Sequence, residues 1–446
     1  MNARVRKSAQ IIGEPVEITD LSHEGHGIAH LDGKAVFIAD ALPGERVQWE
    51  RTKRGASFDE GRLVQVLVPS PHRVAPRCAH FGVCGGCALQ HLSSPQQIEF
   101  KQRQLLESLA RIGRVTPVQV AEPLQAHVWN YRRRARLAAR WVPKKQRTVV
   151  GFRERSTSFV ADLKRCEILA APVDALIEPL SNLISALSVR ARVPQIEVAA
   201  ADNATALVIR ILDDITPADR ERLEAFEREH DVVLYLQRGG YETVQPLNAD
   251  APTLEYRLPQ LDLALQFQPI DFVQINGKLN VLMIERALQW LEPKAGEHVL
   301  DLFCGLGNFT LPLAKSGAHV TAVEGDAGLV ARARDNAARN ALANVELRAA
   351  NLMDPACLES SWAQQPYEKI LLDPPRAGAR EVLPLIERCG AHTVLYISCH
   401  PGSFARDAGI LVNEYGFVLE VAGVMDMFPH TAHVEAIGLF RRKKAR

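Results

Sequence analysis

The chain has 446 residues, 47% of them apolar and 24% charged, with a net charge of +1. These values fit a globular protein long enough for two to four domains, and they exclude a disordered chain or an overall polycation. No run is long and apolar enough for a membrane span (168–187 is broken by Asp174 and Glu178), and the leading MNARVRKSAQ has no apolar signal core, so a cytoplasmic protein with reduced or metal-bound cysteines is expected.

Residues 11–70 read as short strands separated by turns: EPVEITDL, GHGIAHLDG, KAVFIAD, ERVQWERTK and GRLVQVLV. Five short strands in this length predict a small barrel of the OB type. The segment carries ten Asp/Glu against six Lys/Arg, so its charge gives no argument for RNA binding beyond a local patch of Arg46, Arg51, Lys53 and Arg54. A Pro-, Gly- and Cys-rich loop follows at 68–86. Within RCAHFGVCGGC, Cys78, Cys84 and Cys87 are spaced x5 and x2, and glycines let backbone amides approach thiolate charge. A fourth ligand is needed, and Cys166 is the best candidate because the other four cysteines lie in the C-terminal half. Four thiolates hold zinc or an iron–sulfur cluster; the irregular spacing leans toward 4Fe–4S.

Helical periodicity over 95–112 places Ile98, Leu105, Leu106 and Leu109 on one face. A mixed region runs from about 125 to 265. In it, residues 128–155 hold ten Lys/Arg against one acid, interleaved with Trp129, Tyr131 and Trp141. Basic residues mixed with aromatics suit single-stranded RNA, and strand alternation would place Arg132, Arg134 and Arg136 in one stripe.

The last ~180 residues alternate strand and helix in the βαβ manner and predict a doubly wound α/β sheet. HVLDLFCGLGNFT is a strand, a Gly305-Leu306-Gly307 turn and a helix; the next strand ends in Glu324, an acid placed to bond ribose hydroxyls. Thr310 breaks the full dinucleotide fingerprint, which favours S-adenosylmethionine over NAD. Asn351 would lie near the adenine, and Asp373 ends the fourth strand. The β-rich run 393–398 delivers Cys399 to a strand's carboxyl end, before a turn at Pro401-Gly402. Most unpaired cysteines are structural, but here the neighbours have roles as well. A methyl donor beside a thiol suits alkylation of a poorly nucleophilic carbon, such as carbon 5 of a pyrimidine. Thiolate addition at carbon 6 would make carbon 5 nucleophilic, and a base, Glu435, would then remove its proton. In DPPR, Arg376 stands where amino-group methylases need an aromatic, and Cys-His-Pro is unlike the Pro-Cys order of cytosine-5 enzymes; uracil is therefore favoured, and it must leave its stack to be reached.

DLFCGLGNFT, LLDPPRAGA, YISCHP followed by ARD, and MFPHTAHVE together resemble the RNA uracil-5 methyltransferases. The resemblance covers roughly residues 11–442. It implies a Rossmann-like class I methyltransferase domain over 266–446, an N-terminal barrel similar to a TRAM domain over 11–70, and a central α+β iron–sulfur domain over 71–265. It implies a 4Fe–4S cluster on Cys78, Cys84, Cys87 and Cys166, and S-adenosylmethionine contacts at Gln274, Phe303, Asn308, Glu324, Asn351 and Asp373. It further implies Cys399 as nucleophile and Glu435 as base. The barrel and cysteine cluster point to 23S rRNA rather than tRNA; no membrane or DNA partner is expected. His400 departs from the usual Asn, and Gly402-Ser403-Phe404 from Ala-Thr-Leu. The rival readings are uracil-5 methylation of tRNA or of another rRNA site, and a non-enzymatic iron–sulfur RNA-binding protein.

Overall fold

The computed structural model describes residues 12–442. The chain divides into two compact units, one holding the described residues up to Lys101 with Pro429–His433, the other Gln102–Phe428 with the C-terminal strand.

In the first unit, β1 (Val16–Glu17), β2 (Asp20–Leu21), β3 (Gly27–Leu31), β4 (Lys34–Ala39), β5 (Arg46–Arg54) and β6 (Phe58–Val68) form one sheet in the order β1-β5-β6-β4-β3-β2. Alternation in β5 sends Val47 and Trp49 inward, where both are fully buried with Val36 and Ile38. Gly13 and Gly61 make room for the Trp49 ring: a Cβ on either would lie 2.6 and 2.4 Å from it. Much of the expected basic patch is neutralised locally. Arg51 pairs with Asp59 at 2.9 Å and Lys53 with Glu60 at 2.9 Å, leaving Arg46 and Arg54 exposed.

α1 (Ser94–Ser108) runs across the unit boundary and ends in a π-turn, Leu109–Gly113. Ile98, Leu105 and Leu109 of the predicted apolar face are buried.

The second unit contains two large sheets. One is built from β8 (Arg134–Val142), β9 (Arg147–Gly151), β10 (Gln195–Ala200), β11 (Thr205–Arg210), β12 (Val233–Gln237) and β13 (Gln245–Pro246), with α2 (Ile177–Ala186) and α3 (Pro217–His230). A hairpin of β14 (Leu254–Leu258) and β15 (Leu263–Phe267) leads to α4 (Gly277–Leu291). The other sheet takes β7 (Gln119–Val120) at one edge and then β16 (His298–Leu302), β17 (His319–Glu324), β18 (Val345–Ala349), β19 (Lys369–Leu372), β20 (Thr393–Ser398), β21 (Phe417–Met425) and β22 (Glu435–Arg442). Its order is β18-β17-β16-β19-β20-β22-β21-β7. α5 (Thr310–Lys315), α6 (Ala327–Arg339), α7 (Leu383–Arg388) and α8 (Pro401–Asn413) connect its strands. β16 to β20 pair in parallel and β22 joins β20 antiparallel. All six residues of β20 are buried, as a central parallel strand requires. One apolar core joins Val208 and Tyr235 through Leu265 and Phe267 to Met283, Val299 and Leu395, so the hairpin and α4 bind both sheets into one body.

The predicted stripe of Arg132, Arg134 and Arg136 is engaged in part by neighbouring groups, with the Arg136 side chain still more than half exposed. Arg134 donates to the Pro269 carbonyl, Arg133 pairs with Asp202 at 2.6 Å, and Arg136 pairs with Glu197 at 3.1 Å and donates to the Tyr241 hydroxyl. Acids arriving from β10 and neighbouring loops claim these cations, which strand alternation alone does not reveal.

Candidate active site

Open parallel sheets hold ligands at the carboxyl ends of their strands. Here those ends bring Phe303 and the Gly305-Leu306-Gly307 turn (after β16), Glu324 (ending β17), Asn351 (after β18), Asp373 (after β19) and Cys399 (after β20) to one edge. β22 runs the other way, so its first residue lies at the same edge. The β20–β22 ladder ends at the Ser398–Ala436 pair, so Cys399 directly follows and Glu435 directly precedes its last rung. Every predicted cofactor and catalytic position is thus brought together in the second unit.

The turn after β16 uses special backbone. Phe303 has φ +65°, unusual for a residue with a side chain, while Gly305 and Gly307 have φ +56° and +101°. Its amide at Gly305 donates to Glu324 Oε2 at 3.1 Å, and Glu324 Oε1 accepts from Gly325 and Asp326. Glu324 therefore ties the turn to the start of α6. Asn351 is exposed, and its Oδ1 accepts from the Met353 amide at 3.1 Å. Gln274 donates from Nε2 to Asp373 Oδ2 at 3.4 Å. A cavity of about 190 Å³ opens beside Gln274.

Three residues escaped sequence reasoning. Tyr256 on β14 donates to Asn308 Oδ1 at 2.9 Å, and Asn280 on α4 exchanges hydrogen bonds with Asn308 in both directions at 2.9 Å. Tyr256 lies 52 residues before Asn308 on a hairpin, with no local signal. Asn280 lies on the first turn of the helix after Gln274, a placement that periodicity could have suggested. Asp301, fully buried, accepts from Thr310 Oγ1 at 2.6 Å through Oδ2, while its Oδ1 has no protein partner.

Burial sets the electrostatics. It pushes the Asp373 carboxyl up to about 7, and it raises Asp301 to about 7 together with Asp373 and Glu324, against the Thr310 hydrogen bond. Burial, Glu435 and Asp373 push the Cys399 thiol up to about 11, with Arg376 acting in the opposite direction. His400 caps α8, its Nδ1 accepting from the Ser403 amide at 3.1 Å, so the residue standing in place of the usual Asn performs an Asn-like cap.

The expected metal ligands are Cys78, Cys84 and Cys87, in the loop before α1, and Cys166. Among the described residues no group of three or more His, Cys, Asp or Glu could hold a metal ion. Cys78, Cys84 and Cys87 belong to the first unit and Cys166 to the second. In the loop, Phe81 donates to the Cys78 carbonyl, Cys84 to that of His80, and the Gly86 amide to Cys84 Sγ at 3.4 Å, which sets the cysteines on successive turns. Cys166 is buried, its amide donating to the Asp174 carbonyl.

With this geometry in view, the matches to known proteins are direct. Residues 95–444 match the tRNA (uracil-5-)-methyltransferase family, and residues 14–49 match the TRAM domain. The chain belongs to the RNA uracil-5 methyltransferase family. It is an RNA uracil-C5 methyltransferase. It is 51% identical over 430 residues to a 23S rRNA (uracil(1939)-C(5))-methyltransferase RlmD of Stenotrophomonas maltophilia, covering 96% of this chain and 97% of that one. A protein of the same description from Xanthomonas axonopodis pv. citri is 50% identical over 99% of this chain and 100% of its own. The Pyrococcus abyssi tRNA (uracil-54, C5)-methyltransferase, solved with S-adenosyl-L-homocysteine, superimposes with a TM-score of 0.75 at 22% identity over 96% of this chain and 99% of that one, which establishes the shared methyltransferase fold. No described helix is long and apolar enough to cross a membrane.

Proposed function

We propose that this enzyme methylates carbon 5 of one uridine in 23S rRNA, taking the methyl group from S-adenosylmethionine and using Cys399 as a covalent nucleophile. The observation that carries the reading is the close of the β20–β22 ladder just short of Cys399 and Glu435, together with the action of Glu435 and Asp373 on the Cys399 thiol. The choice of 23S rRNA over tRNA rests on relatives sharing half the residues over almost the full chain. A cytoplasmic location and a division into barrel, central and catalytic parts at 70 and 265 belong to the same proposal.

The strand-end residues fit the donor. Gly305 faces open space where a Cβ would stand, and the buried Asp301 Oδ1 has no protein partner, so the edge has both room and acceptor capacity for a cationic, hydroxyl-bearing ligand. Gln274, Phe303, Asn308, Glu324, Asn351 and Asp373 would hold it, and the bound donor supplies an electrophilic methyl carbon. Cys399 loses its proton and its sulfur bonds carbon 6, moving the ring's electron pair toward the carbonyl at carbon 4. Carbon 5 then forms its bond to the methyl carbon as the methyl–sulfur bond breaks. Glu435 removes the remaining carbon-5 proton, and that electron pair restores the double bond as the Cys399 sulfur departs. The α8 N-terminus favours the thiolate.

The test is transfer of labelled methyl from S-adenosylmethionine to protein-free 23S rRNA, with tRNA alongside, by wild type and Cys399→Ala. Label on 23S rRNA alone, lost in the variant, is the expected result. Label on tRNA would overturn the substrate, and full activity without the thiol would overturn the mechanism. A 4Fe–4S cluster on Cys78, Cys84, Cys87 and Cys166 is a separate proposal, supported only by the spacing and the resemblance, and no reaction step passes through it. About four irons per anaerobically purified chain would support it; an iron-free, active protein would not.

A further inference from the structure

Behind the site, two segments that carry its charges are bound to each other through one buried carboxylate. Asp407 on α8 is fully buried. Its Oδ2 accepts from the Tyr396 hydroxyl at 2.6 Å and from the Ala379 amide at 2.8 Å, and its Oδ1 accepts from Arg406 Nε at 2.8 Å. Arg406 also donates to the Ala377 carbonyl at 2.9 Å. Gly378, at φ +88°, leaves no room for a side chain: a Cβ there would lie 2.5 Å from Arg406 Nη2 and 2.6 Å from Asp407 Oδ2. Three successive residues of the loop after β19 are therefore held by the helix that follows Cys399, and Tyr396 anchors the carboxylate from the strand that precedes it.

We propose that Asp407, with Tyr396 and Arg406, is a positioning device that fixes the 373–379 loop, and above all Arg376, beside the nucleophile. Asp373 directly follows β19, whose parallel ladders hold it on both sides. Arg376 lies three residues further out, immediately before the clamped Ala377, so its place depends on the clamp. The charges acting on the thiol are Glu435 from β22, Asp373 and Arg376 from the loop; the adjoining His400 is turned to the Ser403 amide. Of these, Arg376 is the one that favours the thiolate. This assignment rests on the reading that Cys399 is the reacting group, but its test does not.

The experiment follows iodoacetamide alkylation of Cys399 against pH by mass spectrometry, in the full chain without RNA, alongside kcat and the KM for donor. Tyr396→Phe should move the alkylation midpoint up by about one pH unit and lower kcat roughly tenfold, with the donor KM within about twofold. Arg376→Gln should give a like upward shift, and the double variant no more than the larger of the two, because both act through one group. Asp407→Asn, which keeps the shape, serves as a second variant and should shift in the same direction. An unmoved midpoint in folded Tyr396→Phe and Asp407→Asn would overturn the proposal, as would additive shifts in the double variant. If Cys399→Ala still methylates RNA, the nucleophile reading fails while the alkylation result stands on its own.

Discussion

At the scale of single residues, the site works against ionisation of Cys399, the proposed nucleophile. Cys399 is half-buried and lies in the field of two carboxylates, which Arg376 and a backbone hydrogen bond offset in part. Burial and the two carboxylates thus disfavour the thiolate at neutral pH. Removing a like charge favours the anion, so Glu435→Gln should lower the pH midpoint of Cys399 alkylation; a midpoint that stays in place would show that the carboxylate does not face the thiol. Asp301 gives a stability prediction. Its carboxyl is raised from 3.8 to about 7 in the fold. The folded state thus holds a proton that the unfolded chain releases earlier. The stabilisation is complete below the unfolded value and is lost as pH rises through the folded one. Urea unfolding of Asp301→Asn between pH 4 and 8 should show a shallower loss of stability than wild type; equal slopes would contradict the assignment. Cys399 and Glu435 were readable from sequence because they stand in short, chemically explicit motifs. Tyr256 and Asn280 were not, since their role exists only through contact with Asn308.

At the scale of elements, α8 is gripped from two sides. Gly113, at the end of the π-turn that finishes α1, leaves its missing Cβ 2.3 Å from the Ala405 carbonyl, and Gly409 comes within 2.8 Å of the Gly113 carbonyl in the same sense. Asn413 Nδ2 donates to Gly113 O at 3.0 Å. Backbone meets backbone here, so a methyl group cannot be absorbed by a side-chain rotation. Gly113→Ala should cost about 1–3 kcal/mol by overpacking, read as a lower urea midpoint, and should slow methyl transfer because α8 carries the Cys399 turn. A neutral substitution would mean that the helix crossing relaxes freely. The periodicity of 95–112 announced this helix, and its buried face is the predicted one. Its ending was hidden, because the π-turn is set by the approach of α8 and not by local propensity.

At the scale of the whole molecule, the residues proposed for donor binding and catalysis, from Gln274 to Glu435, all lie in the second unit, while three of the four proposed cluster cysteines lie in the first. Cys87→Ser should therefore leave the dissociation constant for S-adenosylmethionine within about twofold of wild type while removing any bound iron; a large loss of donor affinity would refute this separation. Arginines of the basic run are paired with acids distant in sequence, as in Arg133–Asp202 and Arg136–Glu197, which the sequence did not show. The order of strands and helices, the apolar β20, the glycine turn after β16 and the types of reactive side chain are all legible in the chain. These follow from local patterns: period-two and helical spacing, positive-φ glycines and the chemistry of thiol and carboxylate. Only the tertiary structure decided which charges remain available, which hairpin reaches the donor edge, and that Glu435, 36 residues after Cys399, returns to its side. The physical reason is that β22 reverses direction against β20, and strand pairing across that distance is chosen by burial and ladder hydrogen bonds, not by neighbours in the chain.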